Sequence, residues 1–90
     1  MTFTVLEAFR STAACMIGLR DIRPDGTVLF EWQQVNTMRL AGPDYPPGAF
    51  PEGPWERQAR VPPDGEWETI GGCREDGSTW RSWTGVELGA

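Results

Sequence analysis

The sequence predicts a mainly β domain: a small antiparallel sheet, or a sandwich or partial barrel, built from an N-terminal hairpin and a C-terminal three-strand meander. A β-rich α+β fold is the same prediction with a short N-terminal helix added. Three observations carry it. Asp-Gly occurs three times, at Asp25-Gly26, Asp64-Gly65 and Asp76-Gly77, and supplies the backbone angles that tight turns need. The flanking segments are rich in Trp, Thr, Val and Ile, residues that suit a pleated surface. Apolar and polar residues alternate over 28–33 and 55–61, the period of a half-buried strand.

In chain order, residues 4–12 read as a short helix. Thr4 and Glu7 have capping-box spacing, and Val5, Leu6, Phe9 and Ala13 fall on one face. A TFTVL strand is the competing reading. Residues 14–40 form the first hairpin unit. Arg23-Pro24-Asp25-Gly26 is its turn: Pro presets the first central position, Asp tolerates the second, and Gly takes the left-handed position after them. The outgoing strand should turn Val28, Phe30 and Trp32 toward the core, opposite Ile17 and Leu19. Residues 35–40 fit either a bulged strand extension or one helical turn.

Residues 41–54, AGPDYPPGAFPEGP, hold five prolines and three glycines. That composition excludes a helix or a central strand. Tyr45 and Phe50 imply that this arm is pinned, on its own domain or on a partner. Residues 55–87 form the meander, with strands at about 55–61, 66–73 and 78–87. Pro62-Pro63-Asp64-Gly65 repeats the turn chemistry of 23–26. Gly71-Gly72 marks a bulge or a close backbone approach. A two-residue turn at Asp76-Gly77 would pair Glu75 with Ser78, Cys73 with Trp80 and Ile70 with Trp83. Trp80 and Trp83 would then lie on opposite faces, and one of them needs a cover or is exposed.

The 90 residues make one domain, with net charge −5, eight Arg, no Lys and no His. Residues 1–43 balance four Arg against four acids, whereas residues 44–90 set four Arg against nine acids and carry the whole net charge. An acidic surface disfavours direct binding to nucleic acid and favours solubility or a basic partner. No apolar run reaches the ~18 residues that span a bilayer, and the N-terminus lacks signal-peptide features. A cytoplasmic placement is expected, or a virion-associated one if the chain serves a phage. Cys15 and Cys73 are expected to be buried reduced thiols, with a disulfide between them as the alternative if the fold brings them together.

Several chemistries are excluded by composition. Without His there is no Ser-His or Cys-His pair. Without Lys there is no Schiff base and no Walker lysine. Two Cys and no His cannot close a typical structural zinc site. Glu66, Glu68, Glu75 and Asp76 leave carboxylate chemistry as the remaining catalytic option, and clustered acids on a hairpin more often form a solvated face. The expectation is no enzyme, no cofactor and no metal.

Residues 73–80, Cys-Arg-Glu-Asp-Gly-Ser-Thr-Trp, resemble the Asp-box hairpin of sialidase-type β-propellers, Ser-x-Asp-x-Gly-x-Thr-Trp. Gly77, Thr79 and Trp80 match, while Cys73 and Glu75 stand in place of the serine and aspartate. The resemblance is confined to this hairpin. In that family the motif is structural and distant from the active site, so the resemblance implies a hairpin with a buried Trp80.

The expected function is a non-catalytic protein-interaction or structural accessory module, such as a phage or bacterial assembly component. It would work through an acidic, aromatic β surface on a protein partner, a basic one or a second copy, with no contact to nucleic acid or membrane. The candidate contact residues are Tyr45, Phe50, Trp55, Glu75, Asp76, Trp80, Arg81 and Trp83. Two other classes compete: an acidic inhibitor that blocks a basic nucleic-acid-binding surface, and a carbohydrate-binding module that stacks sugars on exposed Trp.

Overall fold

A computed structural model describes residues 4–11, 15–36, 39–40, 42, 45 and 48–88. One short helix, α1 (Val5–Arg10), precedes five strands: β1 (Met16–Ile22), β2 (Val28–Val35), β3 (Trp55–Arg60), β4 (Glu68–Cys73) and β5 (Thr79–Arg81). They form one open antiparallel sheet in the order β2-β1-β3-β4-β5. The predicted mainly β architecture is thus a single sheet. Its first hairpin joins the meander through β1.

The helix forms where the capping box places it. Thr4 Oγ1 accepts from the Glu7 N–H, and Glu7 Oε1 accepts from the Thr4 N–H, each at 3.2 Å. Glu68 adds a second carboxylate at this end, accepting from the Val5 N–H at 2.9 Å. Six residues would not hold a helix in water, so packing holds this one. Val5, Ala8 and Phe9 are buried. At the other end, the buried Asn36 amide donates to the carbonyls of Ala8, Phe9 and Ser11 at 2.7, 2.9 and 3.3 Å. Asn36 lies just past β2 and ties the helix to the first hairpin. Residues 37 and 38, and Ala13 on the predicted helix face, lie outside the described residues.

One sheet face carries the core. Ile17, Leu19, Ala59, Ile70 and Cys73 meet Val5, Ala8 and Phe9 of the helix, Leu40 of the connector, and Val86 and Leu88 of the tail. Burial of each large aliphatic side chain contributes roughly 1.5–3 kcal/mol. Leu40 and Val86 form a parallel bridge, reinforced by an exposed Arg39–Glu87 ion pair at 2.8 Å. The arm is pinned on its own domain. Tyr45 stacks edge-on against Phe50 at 5.8 Å, and Phe50 packs on Trp55 at 5.6 Å.

Four register details differ from the sequence reading. First, Asp21 opposes Phe30 while Ile22 opposes Val28, leaving Leu29 as a bulge. The extra residue inverts the alternation, so Val28 lies on the face away from the core. Second, the 74–78 turn spans three residues. Arg74 N–H bonds Ser78 O at 2.8 Å, Gly77 N–H bonds Arg74 O at 3.0 Å, and Gly77 has φ +88°. This repeats the 23–27 turn, where Arg23 N–H bonds Thr27 O at 2.9 Å and Gly26 has φ +93°. Both are type I turns closed by a left-handed glycine. Cys73 therefore opposes Thr79 and Gly72 opposes Trp80, one residue off a two-residue turn, and Ile70 does not pair with Trp83.

Third, the β3–β4 register shift leaves Ile70 as the extra residue, between Thr69 opposite Gln58 and Gly71 opposite Arg57. The bulge precedes the glycine pair, and the glycines mark close approach. A Cβ on Gly71 would sit 2.7 Å from Trp80 O, and one on Gly72 would sit 2.6 Å from Trp55 O. Fourth, the turn at 62–65 does not repeat the turn at 23–26. Pro62-Pro63 is cis, Gly65 N–H bonds Val61 O at 2.9 Å, and a Gly65 Cβ would meet that oxygen at 2.4 Å. Gly65 is required for space. The last strand is also shorter than 78–87, since the chain leaves β5 after Arg81.

Candidate interaction surfaces

Between β1 and β3 lies the buried polar centre. Arg57, 1% exposed, donates from Nε to Asp21 Oδ1 and from Nη2 to Asp21 Oδ2, both at 2.7 Å. Its remaining Nη1 donates to the Glu87 carbonyl. The Tyr45 hydroxyl donates to Asp21 Oδ2 at 2.8 Å. Trp32 and Trp55 flank the guanidinium, their ring centroids 5.0 and 5.4 Å from Cζ. Burial, then the Asp21 hydrogen bond and charge, push the Tyr45 hydroxyl well above its ordinary pKa. This network joins sheet, arm and tail, and its polar groups are consumed by one another. It stabilises a geometry and presents nothing to a ligand.

The β4–β5 turn separates two open grooves. One, of about 530 Å³, is lined by Pro24, Trp55, Glu56, Arg74, Glu75, Asp76 and Trp80. The other, of about 400 Å³, is lined by Phe50, Glu52, Glu75, Asp76 and their neighbours. The Ser78 hydroxyl donates to Asp76 Oδ1 at 2.6 Å and the Ser78 N–H at 2.9 Å. These bonds, in that order, hold the Asp76 carboxyl below its ordinary pKa. Thr27 does the same for Asp25 in the sister turn, chiefly through its N–H at 2.9 Å. Both carboxylates are held in their turns by these bonds. Among the described residues, no cluster of three or more His, Cys, Asp or Glu could hold a metal ion.

The predicted contact residues divide accordingly. Tyr45 and Phe50, both of the arm, are half-buried, and Trp55 is 1% exposed and belongs to the core. Glu75, Asp76 and Arg81 are exposed. Trp80, half-buried, lies over Gly72 on the open sheet face; its Nε1 would stand 3.1 Å from a Gly72 Cβ. Trp83, also half-buried, leaves the sheet and packs on Phe9 at 5.7 Å on the core side. Its Nε1 and that of Trp32 are buried with no acceptor among the described residues. The predicted residues therefore do not converge on one patch. Glu75, Asp76 and Trp80 share a groove whose lining includes Trp55; Tyr45, Phe50 and Trp83 hold the arm and core, and Arg81 is exposed on β5 opposite Gly71.

The open face and the β2 edge carry what sequence reasoning missed. Trp67 lies against two guanidinium groups, Arg20 at 4.3 Å and Arg60 at 4.7 Å from its centroid, and Arg20 Nε donates to Gln58 at 2.8 Å. Among the described residues, the large exposed hydrophobics are Met16, Val28, Phe30 and Val35, at 43–50% exposure. Three of the four are on β2, and Met16 opposes Val35. Strict alternation had assigned Val28 and Phe30 to the core. For Val28 the signal is Leu29, the middle of three consecutive large apolar residues, where alternation calls for a polar one; Phe30 keeps the core-side parity opposite Asp21 and is exposed because β2 is the sheet edge.

No helix among the described residues is long and apolar enough to cross a membrane. Comparison with protein-family models, curated proteins and solved structures finds no match.

Proposed function

We propose that this protein is a non-catalytic interaction module, an accessory component of a larger assembly, and that its contact surface is the β2 edge of the sheet. One observation supports the reading above all: among the described residues, the exposed large hydrophobics gather on β2 and its neighbour Met16. Apolar side chains on an edge strand are stabilised by a partner that removes them from water, at roughly 25 cal/mol per Å². The groups best suited to chemistry are instead locked in turns or in the Arg57 network. Capture from the source organism with wild-type bait and with Val35→Lys bait tests this. The expected result is a partner retained by the first and lost by the second, with unchanged circular dichroism. Identical captures would rule out β2 as the contact.

A second reading places a basic partner in the groove of Glu56, Glu75, Asp76 and Trp80, as in an inhibitor that covers a nucleic-acid-binding surface. It requires steep salt dependence of binding and loss on Glu75→Lys, whereas the β2 reading predicts weak salt dependence.

A further inference from the structure

We infer that the partner of β2 is a second copy of this chain, joined by antiparallel β2–β2 pairing into one continuous ten-stranded sheet. This rests on the reading of β2 as the contact strand and adds the identity of the occupant.

The backbone is available for it. Asn36 N–H bonds Cys15 O at 2.7 Å in the β1–β2 register. Antiparallel pairs alternate between hydrogen-bonded and non-bonded, so Gln34, Trp32 and Phe30 turn their amides toward β1. Glu31, Gln33 and Val35 consequently direct theirs away from the sheet. Among the described residues β2 has no strand on that side. It spans eight residues, with no Pro, no Lys and one charge, Glu31. Edge strands that stay single are usually short, charged or proline-bearing. The opposite edge, β5, has three residues and lies in the acidic half of the chain. One edge is blunted and the other is not.

Charge distribution selects a second copy over an unlike partner. The whole −5 resides in residues 44–90, which supply β3, β4 and β5, while residues 1–43, which supply β2, are balanced. Pairing through β2 places the acidic halves at the two far ends of the joined sheet, where repulsion is weakest and screened by salt. A basic partner would be drawn to the other edge. The pairing is also self-compatible: a two-fold register that sets Glu31 against Gln33 of the second copy keeps the two carboxylates from facing each other. In that register Trp32 meets its counterpart on the two-fold axis, Phe30 lies opposite Gln34 of the second copy and Val35 opposite its Leu29, so Phe30 and Val35 both enter the seam, one on each face.

The experiment is sedimentation equilibrium of the purified full chain from 1 to 500 µM, for wild type, Gln33→Pro and Val35→Lys. Gln33→Pro removes an outward N–H without breaking a bond to β1, and an edge strand tolerates proline. The expected result is a wild-type mass twice 10.0 kDa at the upper concentrations. Both variants should stay monomeric, with at least a tenfold weaker dimerisation and unchanged circular dichroism. If Gln33→Pro unfolds, Val35→Lys alone carries the test. A wild-type dimer that survives in the folded variants overturns β2 pairing. A wild-type monomer throughout overturns self-association, while the capture experiment still decides whether β2 binds another protein.

Discussion

Arg57 and Asp21 face each other across β3 and β1 as a bidentate ion pair, both nitrogens 2.7 Å from their oxygens, with neither side chain more than 1% exposed. Removing one partner strands a buried charge. Arg57→Met is expected to cost about 3–5 kcal/mol, read as a fall in the urea midpoint. Double replacement with Asp21→Leu should recover only part of it. The Tyr45 hydroxyl and Glu87 carbonyl would still lose their partners. Full recovery would show that arm and tail do not depend on the pair.

Tyr45 makes alkaline stability a readout of the arm. Its folded pKa is raised above the ordinary value near 10. Below pH 10 the phenol is neutral in both states and its contribution is fully present. Above it the unfolded chain releases the proton and the folded chain retains it, so stability falls as pH rises. Wild type should lose stability above pH 10 more steeply than Tyr45→Phe, which itself costs about 0.5–1.5 kcal/mol at neutral pH. Equal slopes in denaturant melts at pH 9 and 11 would contradict the buried phenol.

Gly72 should tolerate no side chain. Its Cβ would meet Trp55 O at 2.6 Å and Trp80 Nε1 at 3.1 Å; the first is backbone and cannot swing away. Gly72→Ala is expected to destabilise by about 1–3 kcal/mol and to shift Trp80 fluorescence. Gly77 has open space around it but φ +88°, so Gly77→Ala should cost only the left-handed penalty of about 1–2 kcal/mol and leave the emission unchanged.

The sister turns should titrate alike. Asp25 and Asp76 have depressed folded pKa values because each carboxylate accepts from the residue two positions on. The sign follows: their support for the turns is present above the unfolded value of 3.8 and is lost as pH falls through the lower folded value. Carboxyl ¹³C titration should place both below 3.8. Ser78→Ala should raise Asp76 alone, since it leaves Thr27 in place. A rise in both would mean that the turns are coupled.

Local chemistry was legible in the sequence. The Thr4–Glu7 box, the Pro-Asp-Gly turn at 23–27 and the aromatic anchors of the arm depend on neighbouring residues and backbone angles, and they formed where those dictate. Of the candidate site, Glu75, Asp76 and Trp80 did come together, because one hairpin carries all three. The register after Asp76-Gly77 was misread for a local reason: Asp-Gly fits both two- and three-residue turns, and one residue of difference reverses every face.

The amino-acid sequence by itself determined a β-rich chain, its turns, its short helix and the separation of charge between its halves. Only the tertiary structure decided that β1 sits between β2 and β3, which buries Arg57 against Asp21 and leaves β2 at the edge. Strand order arises from pairings between residues far apart in the chain, such as Leu19 with Ala59. Their stability comes from area removed from water on both strands at once, and no local pattern in either strand encodes its partner. The same order makes Phe30 and Val35 surface, although their residue types suit a core.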